Sequence, residues 1–419
     1  MIFKQNVLSH CILKTTFSCA RNKLPQIIIL STIIYLLLFI TKDILKQSQN
    51  NCPLRKDDVW IEIPAPGQIR SIVRTQNVKI ENSQSKQKLI LLWTKYFSSE
   101  FSEDFYFFES GRATFERYKC YVSNCFVTSN RSLLDVADSV LFHASDFNAS
   151  DIPERHSMKQ IWIMYSMEPP RNMHLLKWGL VKSLFNWTMT YRSDSQVQVK
   201  YGEVIAVNNS CRTSGIIDVN RKKNGAIWMV SNCKTESRRE AYVKELKKHY
   251  KVDVYGYCSR KNKCLPAQSE RCYKLLESYK YYLAFENSIC RDYVTEKLFN
   301  AYHYNILPIV FGGVQYEEVV PAHSFIDATK FPDPKDLANY LNYIANNSSL
   351  YESFFDWKKH FTVHLHPWMC KFCEHLHNPR IVSSTLPTNL WKWWIKDASC
   401  RKWTKKKSFV GFFSKGKLL

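Results

Sequence analysis

Hydrophobic and polar positions divide the chain into three regimes. Residues 24–40, LPQIIILSTIIYLLLFI, form an apolar run without a charge. Residues 42–85 are polar, rich in Gln, Asn, Ser and Lys, with no sustained apolar period. From residue 86 onward, short apolar or β-branched runs alternate with helical stretches. Runs at 88–93, 138–143 and 160–165 are bounded by polar turns, as expected of buried strands. A second series follows at 226–231, 251–255, 281–285 and 307–311. Between them, 236–250 predicts a helix with Ala241, Val243, Leu246 and Tyr250 on one face. Strands alternating with helices predict parallel sheets, hence an α/β protein with two Rossmann-like halves. The join between the halves is placed in the polar stretch 207–224, around Gly215.

The apolar run has seventeen residues, the short end of what crosses a bilayer at about 1.5 Å per residue. It starts after twenty-three residues and lacks the small-x-small site that follows a cleaved signal peptide. Lys4, Lys14, Arg21 and Lys23 precede it without an acid, whereas Lys42, Asp43 and Lys46 follow it. The positive-inside rule then puts the N-terminus in the cytosol and the bulk of the chain in a lumen, a type II arrangement. The expected organisation is a cytosolic tail 1–23, a transmembrane signal-anchor 24–41, a stem 42–85, a first α/β domain 86–215, a second 216–365 and a C-terminal segment 366–419. A weak strand-like piece at 59–63 is expected to pack on the first domain.

Composition adds the compartment. Fourteen cysteines among 419 residues are many for a cytosolic protein. Six sequons, at Asn130, Asn148, Asn186, Asn208, Asn346 and Asn347, point with them to an oxidising, glycosylating lumen. Cys370-Lys-Phe-Cys373 reads as half a zinc site completed by His375 or His377, as a redox motif, or as a structural disulfide. An oxidising lumen favours the disulfide, within the pair or to earlier cysteines; Cys120 and Cys125 are candidates to pair with each other. The net charge of +22 raises nucleic-acid binding, but the Lys and Arg are scattered and no finger, RNP or basic-heptad pattern organises them. Lumenal topology removes that class. Attraction to anionic substrates or membranes remains, and the cations Arg401, Lys402, Lys405, Lys406, Lys407, Lys415 and Lys417 read as a solvated basic end.

The chemistry concentrates in 281–313, YYLAFENSICRDYVTEKLFNAYHYNILPIVFGG. An apolar strand ends in Glu286-Asn287-Ser288. A helix is predicted to begin near Asp292, with Thr295, Glu296 and Lys297 in its first turns and Leu298, Ala301 and Tyr302 facing inward. A further strand ends in Gly312-Gly313. Carboxyl ends of parallel strands and helix N-termini are where open α/β sheets bind anions such as a nucleotide diphosphate. A helix cap with a surface Glu–Lys pair explains the same residues without a ligand.

Phe285-Glu286-Asn287-Ser288 followed by Asp292-Tyr293-Val294-Thr295-Glu296-Lys297-Leu298 closely resembles the signature of the α1,3-fucosyltransferase family. The resemblance runs over most of 86–375. It includes Thr190-Tyr191-Arg192-Ser193-Asp194-Ser195, Val230-Ser231-Asn232 and Phe354-Phe355-Asp356-Trp357 before a Cys-x-x-Cys that the family uses structurally. It implies a Golgi type II membrane enzyme with a GT-B-like fold, two Rossmann-like domains facing a cleft, acceptor side first and GDP-fucose side second. The implied reaction moves fucose from GDP-fucose, with inversion, to an N-acetylglucosamine-containing glycan. The alternatives are another nucleotide-sugar transferase of the Golgi, or an inactive glycan-binding homologue.

By resemblance, Glu168 matches the catalytic base, in a Met167-Glu168-Pro169 context where the family usually has Ser or Cys after the acid. Lys297 and Arg239 match the cationic partners of the diphosphate, with Arg238 the match if the loop shifts by one. Glu296 resembles the glutamate that bonds ribose or fucose hydroxyls, and Tyr255 and Tyr293 border the guanosine. Glu286 and Asn287 either bind the donor or hold the loop. No D-x-D occurs in the chain, so no obligatory metal is expected.

Overall fold

The computed structural model describes residues 86–96, 108–172, 184–206, 219–261, 264, 272, 274–364, 368–382, 389–405 and 408–411. The apolar run 24–40, the stem with its 59–63 piece, Asn208 and most of the join at 207–224 lie outside them. Among the described residues no helix is long and apolar enough to cross a membrane.

The first sheet contains β1 (Lys88–Leu92), β2 (Cys125–Thr128), β3 (Ser139–His143), β4 (Ile161–Ser166), β5 (Trp187–Thr190) and β6 (Val197–Gln198). Their order is β2-β1-β3-β4-β5-β6, and every pairing is parallel. Residues of β3, β4 and β5 are buried throughout, as a parallel sheet covered on both faces requires. After the short strand β7 (Glu203–Ala206) comes a second parallel sheet of β8 (Lys223–Met229), β9 (Val252–Tyr255), β10 (Tyr279–Phe285), β11 (Leu307–Phe311) and β12 (Ile326–Asp327). Its order is β12-β11-β10-β8-β9. Both sheets thus share one winding, in which the direction of strand addition reverses between the first and third strands. Loops leaving the carboxyl ends diverge at that reversal and open a crevice.

Alternation along β10 sends Tyr281, Leu283 and Phe285 to one face and Tyr282 and Ala284 to the other. The first face is covered by α1 (Arg239–Leu246), through Tyr242, Val243 and Leu246. The second is covered by α2 (Glu296–His303), through Leu298, Phe299, Ala301 and Tyr302. The first face also packs α3 (Pro334–Ala345), which starts with Asp333 accepting from the Lys335 N–H and proline at its first turn. All seven expected strands form, with ends displaced by no more than three residues. Both expected helices start late. Arg238 has φ +58°, so α1 begins at Arg239 rather than 236. Asp292 has φ +62° and accepts from Ser193, so 292–295 stays a loop and α2 begins at Glu296.

The C-terminal segment returns to the first sheet. Helix α4 (Trp368–His377) packs Trp368, Phe372 and Leu376 against Ile90, Leu92, Leu141 and Ile163. Disulfides Cys120–Cys370 and Cys125–Cys373 staple it there. Of the two alternatives for the Cys-x-x-Cys, bonds to earlier cysteines form rather than closure on itself, and one pairing is corrected: Cys120 does not bond Cys125. Cys370 and Cys373 stand a turn apart on α4 and each meets a different cysteine of the segment entering β2. The sulfurs near His377 are therefore used in disulfides rather than offered to zinc. Nor is the basic end wholly a tail. Its first residues form the antiparallel hairpin β13 (Arg401–Thr404) and β14 (Ser408–Gly411), with Trp403 buried and Lys405 paired with Glu245 at 3.1 Å.

Candidate active site

Glu168 follows β4 at the carboxyl edge of the first sheet. The Ser166 hydroxyl donates to the Glu168 carbonyl (2.8 Å), the Tyr201 hydroxyl donates to the Met167 carbonyl (2.9 Å), and two prolines follow. These contacts hold a half-buried carboxylate at a fixed exit. Its Oε2 accepts from Asn287 Nδ2 and from the Tyr293 hydroxyl, each at 3.4 Å, and both donors belong to the loop after β10. Contacts of that length are weak enough for a substrate hydroxyl to replace.

Tyrosines surround this carboxylate. Burial pushes the Tyr96 hydroxyl up to about 12, with the charge of Glu168 adding to the effect. Burial likewise raises Tyr201, Tyr293 and Tyr191, each within the field of Glu168. All four hydroxyls stay protonated near neutrality, with Tyr201 donating to the Met167 carbonyl and Tyr293 to Glu168, which leaves proton acceptance to the carboxylate among them. Tyr201 also feels Glu296, so the Glu168 exit and the start of α2 lie about one aromatic group. Gly202 permits the approach, because a Cβ there would collide with the Phe299 ring of α2.

On the second sheet, Glu286 is 1% exposed. It accepts from the Thr295 N–H (2.9 Å), from the Thr295 hydroxyl, and from Lys297 Nζ (3.2 Å). Of the two roles open to Glu286, this is the loop-holding arrangement: it fixes the N-terminus of α2 and aims Lys297. Burial pushes the Glu286 carboxyl above the ordinary carboxylate range despite the Lys297 ammonium. Burial alone would lower Lys297, but Glu286 and Glu296 outweigh it and hold the ammonium above its usual range. Glu296, which burial would raise, is instead held low by Lys297 at 3.2 Å. A fully charged lysine thus stands at a helix N-terminus, where an anion is favoured.

Arg239, 3% exposed, reaches beneath this site. Its guanidinium donates to the Phe285 carbonyl and, at 3.3 Å, to the Asn232 carbonyl, while its Nε has no protein partner. It braces the carboxyl ends of β10 and β8 and presents positive charge from below, lowered from its usual range by burial and supported by Glu286. Arg238 points to solvent instead. Tyr255 ends β9, with its hydroxyl 3.4 Å from that of Tyr279, which donates to Asp253. Asn287 is half-buried with its Oδ1 unpaired, and Tyr293 is fully buried with its ring 4.9 Å from Tyr191. Glu168, Asn287, Tyr293, Glu296 and Lys297 therefore come to one place. Arg239 and Glu286 lie just behind it, and Tyr255 sits at the far edge of the sheet.

The 190–195 block proves to be a clasp. Ser193 donates twice to Asp292, and the fully buried Arg192 holds Asp194 through two hydrogen bonds and stacks on Trp393 at 4.4 Å. Sequence reasoning gave that block no role, and it missed Tyr96, Tyr191 and Tyr201. Tyr191 directly follows β5 and Tyr96 lies four residues past β1, so aromatics at strand carboxyl ends were the available signal. Of the sequons, Asn130, Asn148, Asn346 and Asn347 are exposed. Asn186 is half-buried, its Oδ1 accepting from Arg155 and the Trp162 N–H, a poor place for a glycan.

Residues 85–202 match the family model described as "Fucosyltransferase, N-terminal". Residues 219–393 match "Glycosyltransferase family 10 (fucosyltransferase) C-term". Alpha-(1,3)-fucosyltransferase C of Drosophila melanogaster is 31% identical over 340 residues, covering 75% of this chain and 79% of that protein. The chain belongs to the glycosyltransferase family 10 fucosyltransferases. The fucosyltransferase is also 35% identical over 306 residues to glycoprotein 3-alpha-L-fucosyltransferase A of the same fly, covering 70% of this chain and 59% of that one. To 4-galactosyl-N-acetylglucosaminide 3-alpha-L-fucosyltransferase 9 of Bos taurus it is 31% identical over 355 residues, covering 81% and 92%.

Proposed function

We propose that this fucosyltransferase moves L-fucose from GDP-fucose, with inversion, to O-3 of an N-acetylglucosamine in a glycoprotein or glycolipid glycan. The observation that carries the reading is the meeting of Glu168 with Asn287 and Tyr293, beside the Glu286-braced Lys297. Glu168 takes the acceptor hydroxyl proton. Lys297, Arg239 and the N-terminus of α2 receive the charge that develops on the departing diphosphate. Glu296 bonds donor hydroxyls, and the tyrosines around Glu168 exclude water from the reacting centre. The two similarly wound sheets support a GT-B-like arrangement, acceptor side first. The names of the relatives, one acting on glycoprotein and one on a 4-galactosyl-N-acetylglucosaminide, support the acceptor class.

The reading requires no obligatory divalent metal, since side-chain cations supply the charge at the diphosphate. Full-length protein in detergent is offered GDP-fucose or UDP-sugars with a glycan panel, in the presence of a chelator. Transfer from GDP-fucose alone, onto N-acetylglucosamine-containing glycans, is expected. Binding of glycans without transfer would instead support an inactive homologue.

The proposed place is the Golgi membrane, as a single-pass type II protein with the catalytic part in the lumen. Five disulfides among the described residues and four exposed sequons support an oxidising, glycosylating compartment. The basic flank before the apolar run supports the orientation. Protease added to sealed microsomes should leave the bulk of the chain intact and digest it only after detergent. Digestion without detergent contradicts the orientation.

A further inference from the structure

The family match ends at residue 393, yet the chain beyond it runs across the carboxyl ends of both sheets. Trp394 is fully buried against Tyr191 at 5.6 Å, while Trp393 stacks under Arg192, so this end is anchored on the first sheet. Ala398 accepts from the Arg291 N–H at 2.8 Å. Cys400 is disulfide-bonded to Cys290, inside the loop that bears Asn287 and Tyr293. The Arg401 N–H donates to the Ile289 carbonyl at 2.8 Å, forming a bridge between the two segments. The Trp403 N–H donates to the Ser237 carbonyl at 3.1 Å, and its ring meets Tyr242 of α1 edge-on at 5.3 Å.

These contacts converge on the two loops that frame the site. Ser237 itself donates its hydroxyl to the Glu286 carbonyl (2.8 Å) and its N–H to the Asn287 carbonyl (3.0 Å). Strap, loop after β8 and loop after β10 are therefore one hydrogen-bonded unit, closed covalently at Cys290. Crowding makes the loop's path specific: a Cβ on Gly313 would collide with the Cys290 carbonyl.

We infer that residues 398–403 form a strap that presets both donor-side loops, with Cys400 and Trp403 as positioning residues for GDP-fucose. The inference rests on the proposed donor. Neither residue touches the reacting atoms; each acts through the backbone that carries Asn287 and Arg239. A loop released from the strap spends part of its time in arrangements that do not bind, and donor affinity falls by the fraction lost. Once donor is bound, its own contacts restore the arrangement, so turnover at saturation changes little.

The test uses full-length protein in detergent, with Cys290→Ser and Cys400→Ser introduced together so that no odd thiol remains. KM for GDP-fucose and Kd for GDP should each rise about tenfold. The kcat at saturating donor should stay within about threefold, and KM for the acceptor should not move. The paired variant Cys120→Ser with Cys370→Ser removes a disulfide from the other sheet and should lower thermal stability without changing either donor constant. Trp403→Phe, which keeps an aromatic against Tyr242, should raise KM for GDP-fucose about threefold; it decides the matter where the paired cysteine variant does not fold. Donor constants within twofold of wild type in folded strap variants overturn the inference. So does an equal rise in the Cys120/Cys370 control. A wild-type protein that binds GDP but transfers nothing sinks the proposed transfer and leaves the strap to be judged on GDP affinity alone.

Discussion

Glu168→Gln should leave the fold and the affinity for GDP intact while lowering fucosyl transfer by a factor of about 10²–10⁴. The carboxamide fits the same half-buried exit, still held by the Tyr201 contact to Met167 and the Ser166 hydrogen bond to the Glu168 carbonyl. What it loses is the capacity to accept a proton. The surrounding hydroxyls of Tyr96, Tyr191, Tyr201 and Tyr293 do not replace it, because burial keeps all four protonated near neutrality. Donor hydrolysis should fall less than transfer, since water needs less exact placement than a sugar hydroxyl. Transfer at near the wild-type rate would move the base elsewhere, to Glu296 first, because the other nearby carboxylate, Glu286, is enclosed and fully bonded. A variant that no longer binds GDP would make Glu168 structural.

Lys297→Ala should weaken GDP binding and slow turnover together, by roughly ten- to a hundredfold, the worth of a charge-assisted contact of about 1.5–3 kcal/mol. Two losses combine. The diphosphate loses the cation nearest the start of α2, and Glu286 loses the ammonium that offsets its burial. Lys297→Arg restores the charge and should recover part of both constants, although a planar guanidinium does not fit the Thr295–Glu286–Glu296 pocket as an ammonium does. Isothermal titration with GDP separates binding from rate. Unchanged GDP affinity and unchanged turnover in Lys297→Ala would contradict the role.

Much of this was legible in the sequence where the signal is local. Strands such as 307–311 are apolar throughout because both faces of a parallel sheet are covered, and they appear where expected. Leu298, Ala301 and Tyr302 face inward on α2 as their spacing implies. The signature segment led to Glu286 and Lys297, but it did not show that Glu286 holds Lys297 from within. Burial of a carboxylate beside Thr295 is a tertiary fact, and a left-handed Asp292 tied to Ser193 is another. The short strands β2, β5, β6 and β12 escaped notice because too few residues carry the period. Bonds from the Cys-x-x-Cys to earlier cysteines were among the alternatives, but which cysteines they join, and that Cys120 does not bond Cys125, escaped for a related reason. Cys120–Cys370 and Cys125–Cys373 join positions 250 and 248 residues apart, and no spacing rule reaches across the return of α4 to the first sheet.

The most direct test of the central claim is proton NMR of the first product formed from GDP-fucose and an N-acetylglucosamine-terminated or LacNAc-containing glycan. Placing Glu168 on the acceptor side of the donor cations predicts a single displacement. The new fucoside should have the anomeric configuration opposite to that of the donor and be linked to O-3 of N-acetylglucosamine, with Glu168→Gln yielding little of it. A product that keeps the donor's configuration, or one formed equally well by Glu168→Gln, would contradict the account.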